Sequence, residues 1–407
     1  MTRVRNLKAL RWSLDLVFAA IVGFGLYLGA AFVLVGQYRI MPVGLARIVE
    51  VGSFLHAQEG QARQSNAERR VFLLGSSVLL EGVDCELLDR AANSNVVDLT
   101  PKTGDATARG VDETVLTRSF NLAWTGATFR QWLLVLPAIR KASPATLVLC
   151  VDLPNLASAE PIPAQRLNLA AWWDFVPRDE LAELIEQNAL NSDEAATLRG
   201  SRLSQILAFR SLPLGAIDSQ MREVARKDLR YAGYVENFRA PWIRRGKVPP
   251  EALARNIEEF RAGIAGADRA VRDAAMKSLR AVIQRARRGG APVFVALTPV
   301  HPELARRLGD SLLDEIRGGI AALCQDSGAA YFDDSRFLNA DEFSDAVHPF
   351  EDGRARWSAE LGRRLGRPIG GTARRAGSAY HALERCGRPA ISVFNSLFAT
   401  RYSPLRD

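Results

Sequence analysis

The feature that most constrains this chain is a set of short apolar runs, several of which end at a turn or a proline. The first is VFLL at 71–74, which gives way to Gly75, Ser76 and Ser77. A run of this kind fits a strand buried on both faces, as in a parallel sheet. TLVLCV at 146–151 and PVFVALTP at 292–299 have the same character. SFNLA at 119–123 and a stretch near AAYFDD at 329–334 are further strand candidates. FRQWLLVLPAIRKA at 129–142 spaces its apolar residues as a helix does. A second helix, of about 20 residues, is expected after Pro299. This β–α–β rhythm predicts an α/β fold with a parallel sheet and right-handed crossovers. Open sheets of this kind place their sites at the carboxyl ends of the strands.

The rhythm breaks across 156–290. Spacing there predicts helices at 178–190, around 193–210, at 250–266 and at 268–288, so the region reads as a helical insertion within a domain spanning 71–367. Trp172, Trp173 and the segment YAGYVENFRAPW at 231–242 add aromatic surface. Packing onto the sheet is the first expectation for them, and a wall of a sugar-binding groove is the alternative. Residues 37–70 read as a polar connector, with a helix leading away from the segment before it. Residues 368–407 are rich in glycine and arginine and read as a weakly ordered tail.

Residues 16–35, LVFAAIVGFGLYLGAAFVLV, carry no charge. Twenty residues at helical rise span roughly 30 Å, the thickness of a bilayer core. The preceding segment holds Arg3, Arg5, Lys8 and Arg11 against Asp15. Such a flank stays on the cytoplasmic side, which predicts one transmembrane helix and export of everything after it. A cleaved signal peptide is the alternative. Against it, the run exceeds an h-region of roughly 7–15 residues and no small-x-small site closes it. The expected location is therefore the inner (cytoplasmic) membrane, with a single span and a periplasmic domain. The net charge of +8 sits mostly at the two ends, because residues 368–407 hold six arginines against Glu384 and Asp407. The near-neutral middle argues against a nucleic-acid partner. It fits basic flanks beside a membrane.

Four cysteines, Cys85, Cys150, Cys324 and Cys386, lie far apart with no CxxC pair, so no zinc pattern is present. Cys150 sits in an apolar run and reads as a buried core thiol. The spacing leaves a structural disulfide open.

The residue types needed for nucleophilic catalysis do fall at sheet ends. A serine hydroxyl needs a base to take its proton. Histidine suits that task near neutral pH. A carboxylate fixes the imidazole tautomer and stabilises its charged form. Backbone amides in turns of small residues can face a developing oxyanion. Ser76 and Ser77 follow the first run, Asn121 to Gly126 (NLAWTG) follow the second, and Asp345 and His348 lie in DAVHPFEDG before the last expected helix. His301, in TPVHPEL, follows another strand and is a runner-up base or a substrate contact. Its alternative is a residue at a helix N-terminus before Pro302. Asp152 reads as a strand-end cap.

These blocks resemble those of the GDSL/SGNH hydrolase superfamily. The resemblance covers 71–155 and 290–366, under half the chain. It implies a flavodoxin-like three-layer α/β/α fold, with Ser77 as nucleophile, His348 as base, Asp345 as its orienting acid and Gly126 as an oxyanion donor. It implies no cofactor and no metal. The subset resembled most comprises membrane-anchored, exported SGNH-like proteins of cell-envelope acylation, of the teichoic-acid D-alanylation and alginate O-acetylation type. Their partners are an envelope glycan and a membrane-bound O-acyltransferase. The usual Gly-x-Asn-Asp of the third block is absent. VDLPNL stands there, with Asn155 as a loose match for the third oxyanion donor. Ser76 replaces the usual Asp, which on this reading matters little to the chemistry.

The resulting expectation is a serine acyltransferase or esterase acting on acyl esters of envelope or exopolysaccharide glycans. One alternative is a non-catalytic SGNH-like accessory subunit that binds a glycan or the acyltransferase. A lipase or thioesterase for soluble substrates is another.

Overall fold

The sheet accounts for the apolar runs. The computed structural model describes Phe18, residues 21–26, eight residues between 47 and 59, and residues 68–97, 116–157, 175–187, 190–203, 238–239 and 246–366. Among these, five strands form one sheet: β1 (Glu68–Leu74), β2 (Leu116–Asn121), β3 (Thr146–Val151), β4 (Val293–Leu297) and β5 (Ala330–Asp333). Their order is β2-β1-β3-β4-β5, and every neighbouring pair is parallel. This is the order of a doubly wound sheet, with its switch point between β1 and β3.

The described helices are α1 (Ser77–Gly82), α2 (Cys85–Val97), α3 (Phe129–Ala142), α4 (Leu153–Ala157), α5 (Leu181–Glu186), α6 (Ser192–Leu203), α7 (Pro250–Gly266), α8 (Arg269–Arg287), α9 (Pro302–Leu308), α10 (Asp310–Ser327) and α11 (Glu351–Gly366). They cover both faces of the sheet, which is why β3, β4 and the second half of β1 are buried without alternation. Phe72, Leu74, Leu147 and Leu149 pack into one apolar cluster with residues of α3, α8 and α10. Val71, Leu73, Val148 and Cys150 face the other way, into a cluster with Leu88, Trp357 and Leu361 from α2 and α11. β3 and β4 are neighbours, and the chain between them holds α4 to α8 among its described residues.

Several elements depart from the sequence reading for identifiable reasons. β2 begins at Leu116, earlier than SFNLA suggests. It is an edge strand whose first half, Leu116 to Arg118, alternates between exposed and buried, so it lacks the continuous apolar signal of a central strand. The helix expected after Pro299 is two helices, α9 and α10, divided at Gly309, which sits at φ 83°. α2 mixes polar and apolar residues, and its buried face is a narrow stripe of Cys85, Leu88, Asp89 and Ala92. α11 packs closely on that stripe, where a side chain at Gly362 would collide with the Leu88 carbonyl. At the far end, buried Asp334 accepts from Trp357 Nε1 at 2.9 Å and Arg364 Nη1 at 2.6 Å, tying α11 to the end of β5.

Within the apolar run 16–35, Phe18 and residues 21–26 are helical, and Phe18, Ile21, Phe24 and Leu26 are exposed. The remainder of the run lies outside the described residues. Among the described residues no helix is long and apolar enough to cross a membrane. The tail, Trp172, Trp173 and most of 231–242 also lie outside the described residues. Cys85, Cys150 and Cys324 are buried free thiols.

Candidate active site

The nucleophile candidate is placed by a helix cap. β1 ends at Leu74, the chain turns through Gly75, and Ser76 caps α1. The Ser76 hydroxyl accepts from the Val78 amide at 3.3 Å. Ser77 is the first residue of α1, where amides have no intrahelical acceptor. Gly75 is required by close packing, because a Cβ there would lie 2.6 Å from the Leu79 Cβ.

His348 reaches this turn from the other end of the chain. Its loop is pinched shut by an antiparallel bridge between Phe343 and Pro349. The Ser344 amide donates to the His348 carbonyl at 2.9 Å, and the Phe350 amide donates to the Glu342 carbonyl at 2.7 Å. Inside the loop, Asp345 Oδ1 accepts from the amides of Val347 (3.0 Å) and His348 (2.9 Å). Both Asp345 oxygens lie 2.9 Å from His348 Nδ1. His348 Nε2 lies 3.0 Å from Ser77 Oγ. With Nδ1 donating to the carboxylate, Nε2 is the lone pair that faces the hydroxyl. Ser77, His348 and Asp345, separated by up to 271 positions in the chain, thus form one continuous relay. Burial alone would raise the Asp345 carboxyl. The hydrogen bond and charge of His348 and the two amides outweigh it and hold the group at about 2.

The other expected residues fall into separate roles. Gly126 lies in an exposed turn between β2 and α3 at φ 68°, a left-handed conformation suited to glycine. Asn155 is buried and donates from Nδ2 to the Ala127 carbonyl at 2.8 Å, one residue beyond Gly126. His301 is the N-cap of α9: its Nδ1 accepts from the Glu303 amide at 3.1 Å, which leaves the ring proton on Nε2. Burial lowers its pKa, against the charges of Glu303 and Asp345. Burial thus favours the neutral form that this capping role uses. Asp152 caps α4, accepting from the Asn155 amide at 2.8 Å, and its second oxygen accepts from the Ser76 hydroxyl. Burial pushes it up to about 6, against the hydrogen bonds from Ser76 and Asn155 and the charge of His348.

Two residues at the site escape the sequence reading. Glu81 is buried on α1 with Oε1 3.8 Å from His348 Nε2. Its position four residues after Ser77, one helical turn away, was the available signal. Arg47, from the connector, donates from Nη2 to the Asn121 carbonyl at 2.7 Å and from Nε to the Ala123 carbonyl at 3.2 Å. Nothing in its sequence neighbourhood announces this contact. Among the described residues no group of acidic, histidine and cysteine side chains could hold a metal ion.

In comparisons with known proteins, no family model matches this chain, and no curated protein matches it.

Proposed function

We propose that this protein is an SGNH-type serine acyl-ester hydrolase or O-acyltransferase. The observation that carries the reading is the relay from Ser77 Oγ through His348 to Asp345, at 3.0 Å and 2.9 Å. Further support comes from its position, at the carboxyl ends of parallel strands beside the switch point.

In this reading Ser77 Oγ attacks the ester carbonyl carbon while its proton passes to His348 Nε2. Asp345 holds the imidazole in the required tautomer and stabilises the imidazolium. The amides of Ser77, at the first position of α1, and of Gly126 are the donors this reading assigns to the developing oxyanion. Collapse expels the alkoxide, which takes the proton back from His348 and leaves an acyl-serine. Water or an acceptor hydroxyl then gives its proton to His348 and attacks the acyl carbon, and as the acyl–oxygen bond to Ser77 breaks His348 returns that proton to Ser77 Oγ.

The substrate class is an acyl ester of an envelope or exopolysaccharide glycan. The uncharged run 16–35 and its basic flank support a membrane-anchored, exported domain, and the resemblance of the GSS, NLAWTG and DAVH blocks supports the acylation role. A membrane-bound O-acyltransferase is the partner this reading names, and the helices between β3 and β4 are its helical insertion.

The test uses the full chain, a small aryl ester and a serine-reactive fluorophosphonate. Ser77→Ala and His348→Ala should each lower turnover by at least 10³-fold with the fold intact, and the double variant should be hardly worse than either. The probe should label Ser77 and block turnover. Full turnover by Ser77→Ala would overturn the assignment of the nucleophile, and full envelope modification in cells carrying Ser77→Ala would favour a binding subunit.

A further inference from the structure

The nucleophile turn and the oxyanion loop are both tied to one short segment, the four residues that open α4. Asp152 and Asn155 cap each other there: the Asn155 amide donates to Asp152 Oδ1 at 2.8 Å, and the Asp152 amide approaches Asn155 Oδ1 at 3.5 Å. Each then uses its remaining polar atom to reach outward. Asp152 Oδ2 accepts from Ser76 Oγ, next to the nucleophile. Asn155 Nδ2 donates to the carbonyl of Ala127, next to Gly126. Ser76, Ala127, Asp152 and Asn155 are all buried. In such surroundings each hydrogen bond is strong and its loss is costly.

We propose that Asp152 and Asn155 are positioning residues that hold Ser77 and the Gly126 turn in register through Ser76 and Ala127. This rests on the serine reading above and adds a structural origin for its geometry. Asn155 is thereby a brace behind the oxyanion loop, with an amide proton committed to a carbonyl. Ser76 is likewise more than a neutral substitute for an acid, since its hydroxyl satisfies a buried carboxylate.

The network is also sensitive to acid. Asp152 is raised to about 6 by burial, so it takes up its proton just below neutrality. The titratable groups around it are His348 from the loop before α11, whose charge opposes the rise, and Cys150 from its own strand. The hydroxyl of Ser76 from α1 and the amide of Asn155 complete its surroundings. Protonation of Asp152 weakens its hold on the Ser76 hydroxyl, which is then left with the Val78 amide as its other partner.

The test compares wild type with Ser76→Ala, Asp152→Asn and Asn155→Ala, using p-nitrophenyl acetate and the fluorophosphonate. Asp152→Asn keeps an oxygen for the Asn155 amide and loses the charge. Displacement of reacting groups by about 1 Å costs roughly 10²-fold. We expect kcat and the labelling rate of Ser77 to fall 10- to 100-fold in each variant, with KM within about twofold. The kcat profiles of wild type and Asp152→Asn should differ around pH 6. Labelling at the wild-type rate in folded Asn155→Ala and Ser76→Ala would overturn the proposal. So would a fall in kcat no larger than the loss of folded protein measured by circular dichroism, or superimposable pH profiles. Absence of labelling and turnover in the wild type itself would instead sink the serine reading.

Discussion

Asp345 illustrates how one residue can serve both folding and chemistry. Its carboxylate accepts two backbone amides that shape the loop, and it also accepts the imidazole Nδ1 proton. All three interactions favour the ionised form, and together they overcome burial to hold the group at about 2, below its ordinary 3.8. A carboxyl lowered in the folded state stabilises the fold above its unfolded pKa and loses that contribution as pH falls through the folded value. Asp345 should therefore contribute about 2 kcal/mol above pH 4, lost between roughly pH 4 and pH 2. Denaturant titrations of wild type and Asp345→Asn across that window check this, and the variant should show a shallower loss. Asp345→Asn should also lower kcat by less than Ser77→Ala does, because the ring is still held but in a poorer tautomer.

At the scale of elements, the loop between β2 and α3 is held from two directions. Asn155 secures its far end, and Arg47 secures its start by donating to the carbonyls of Asn121 and Ala123. The Arg47 guanidinium also stacks 4.1 Å from the centre of the Phe238 ring. The connector thus reaches the loop that carries Gly126, while Val51 and Leu55 from the same stretch enter the core. Arg47→Ala would leave two buried carbonyls short of a donor. A loss of about 1–3 kcal/mol per orphaned group is expected, read as a lower denaturant midpoint. Gly126→Ala should destabilise by about 1 kcal/mol through its positive φ alone, because a Cβ there meets nothing within 4 Å. A neutral outcome for Gly126→Ala would mean that the turn adopts another conformation in solution.

For the whole molecule, the arrangement of charge and apolar sequence sets the expected topology. On the proposed reading, the basic residues before position 16 and the uncharged run 16–35 would place the N-terminus inside and the domain outside. A reporter enzyme fused after residue 60 should be active only on the outer side of the membrane. Activity of that fusion in the cytoplasm would remove both the orientation and the envelope substrate, while leaving the triad chemistry to its own test.

Much of the sheet was legible because its central strands are buried on both faces and must be apolar throughout. VFLL, TLVLCV and VFVAL each appear as β1, β3 and β4 with their pairing parallel. The helix from Phe129 to Ala142 is equally plain, with a Thr128 capping box at its start and a regular apolar face. Edge and mixed elements were less legible, as β2 and α2 show, since their stability comes from neighbours more than from their own hydropathy. Serine, histidine and aspartate could be named from residue type and the turns that carry them. Their contact could not, because it joins positions 77 and 348 across the folded sheet. Local pattern cannot encode which buried hydrogen bonds a side chain will make after packing. The tertiary structure alone therefore decided that His301 caps a helix, that Asn155 braces the loop beside Gly126, and that Arg47 and Glu81 belong to the same neighbourhood.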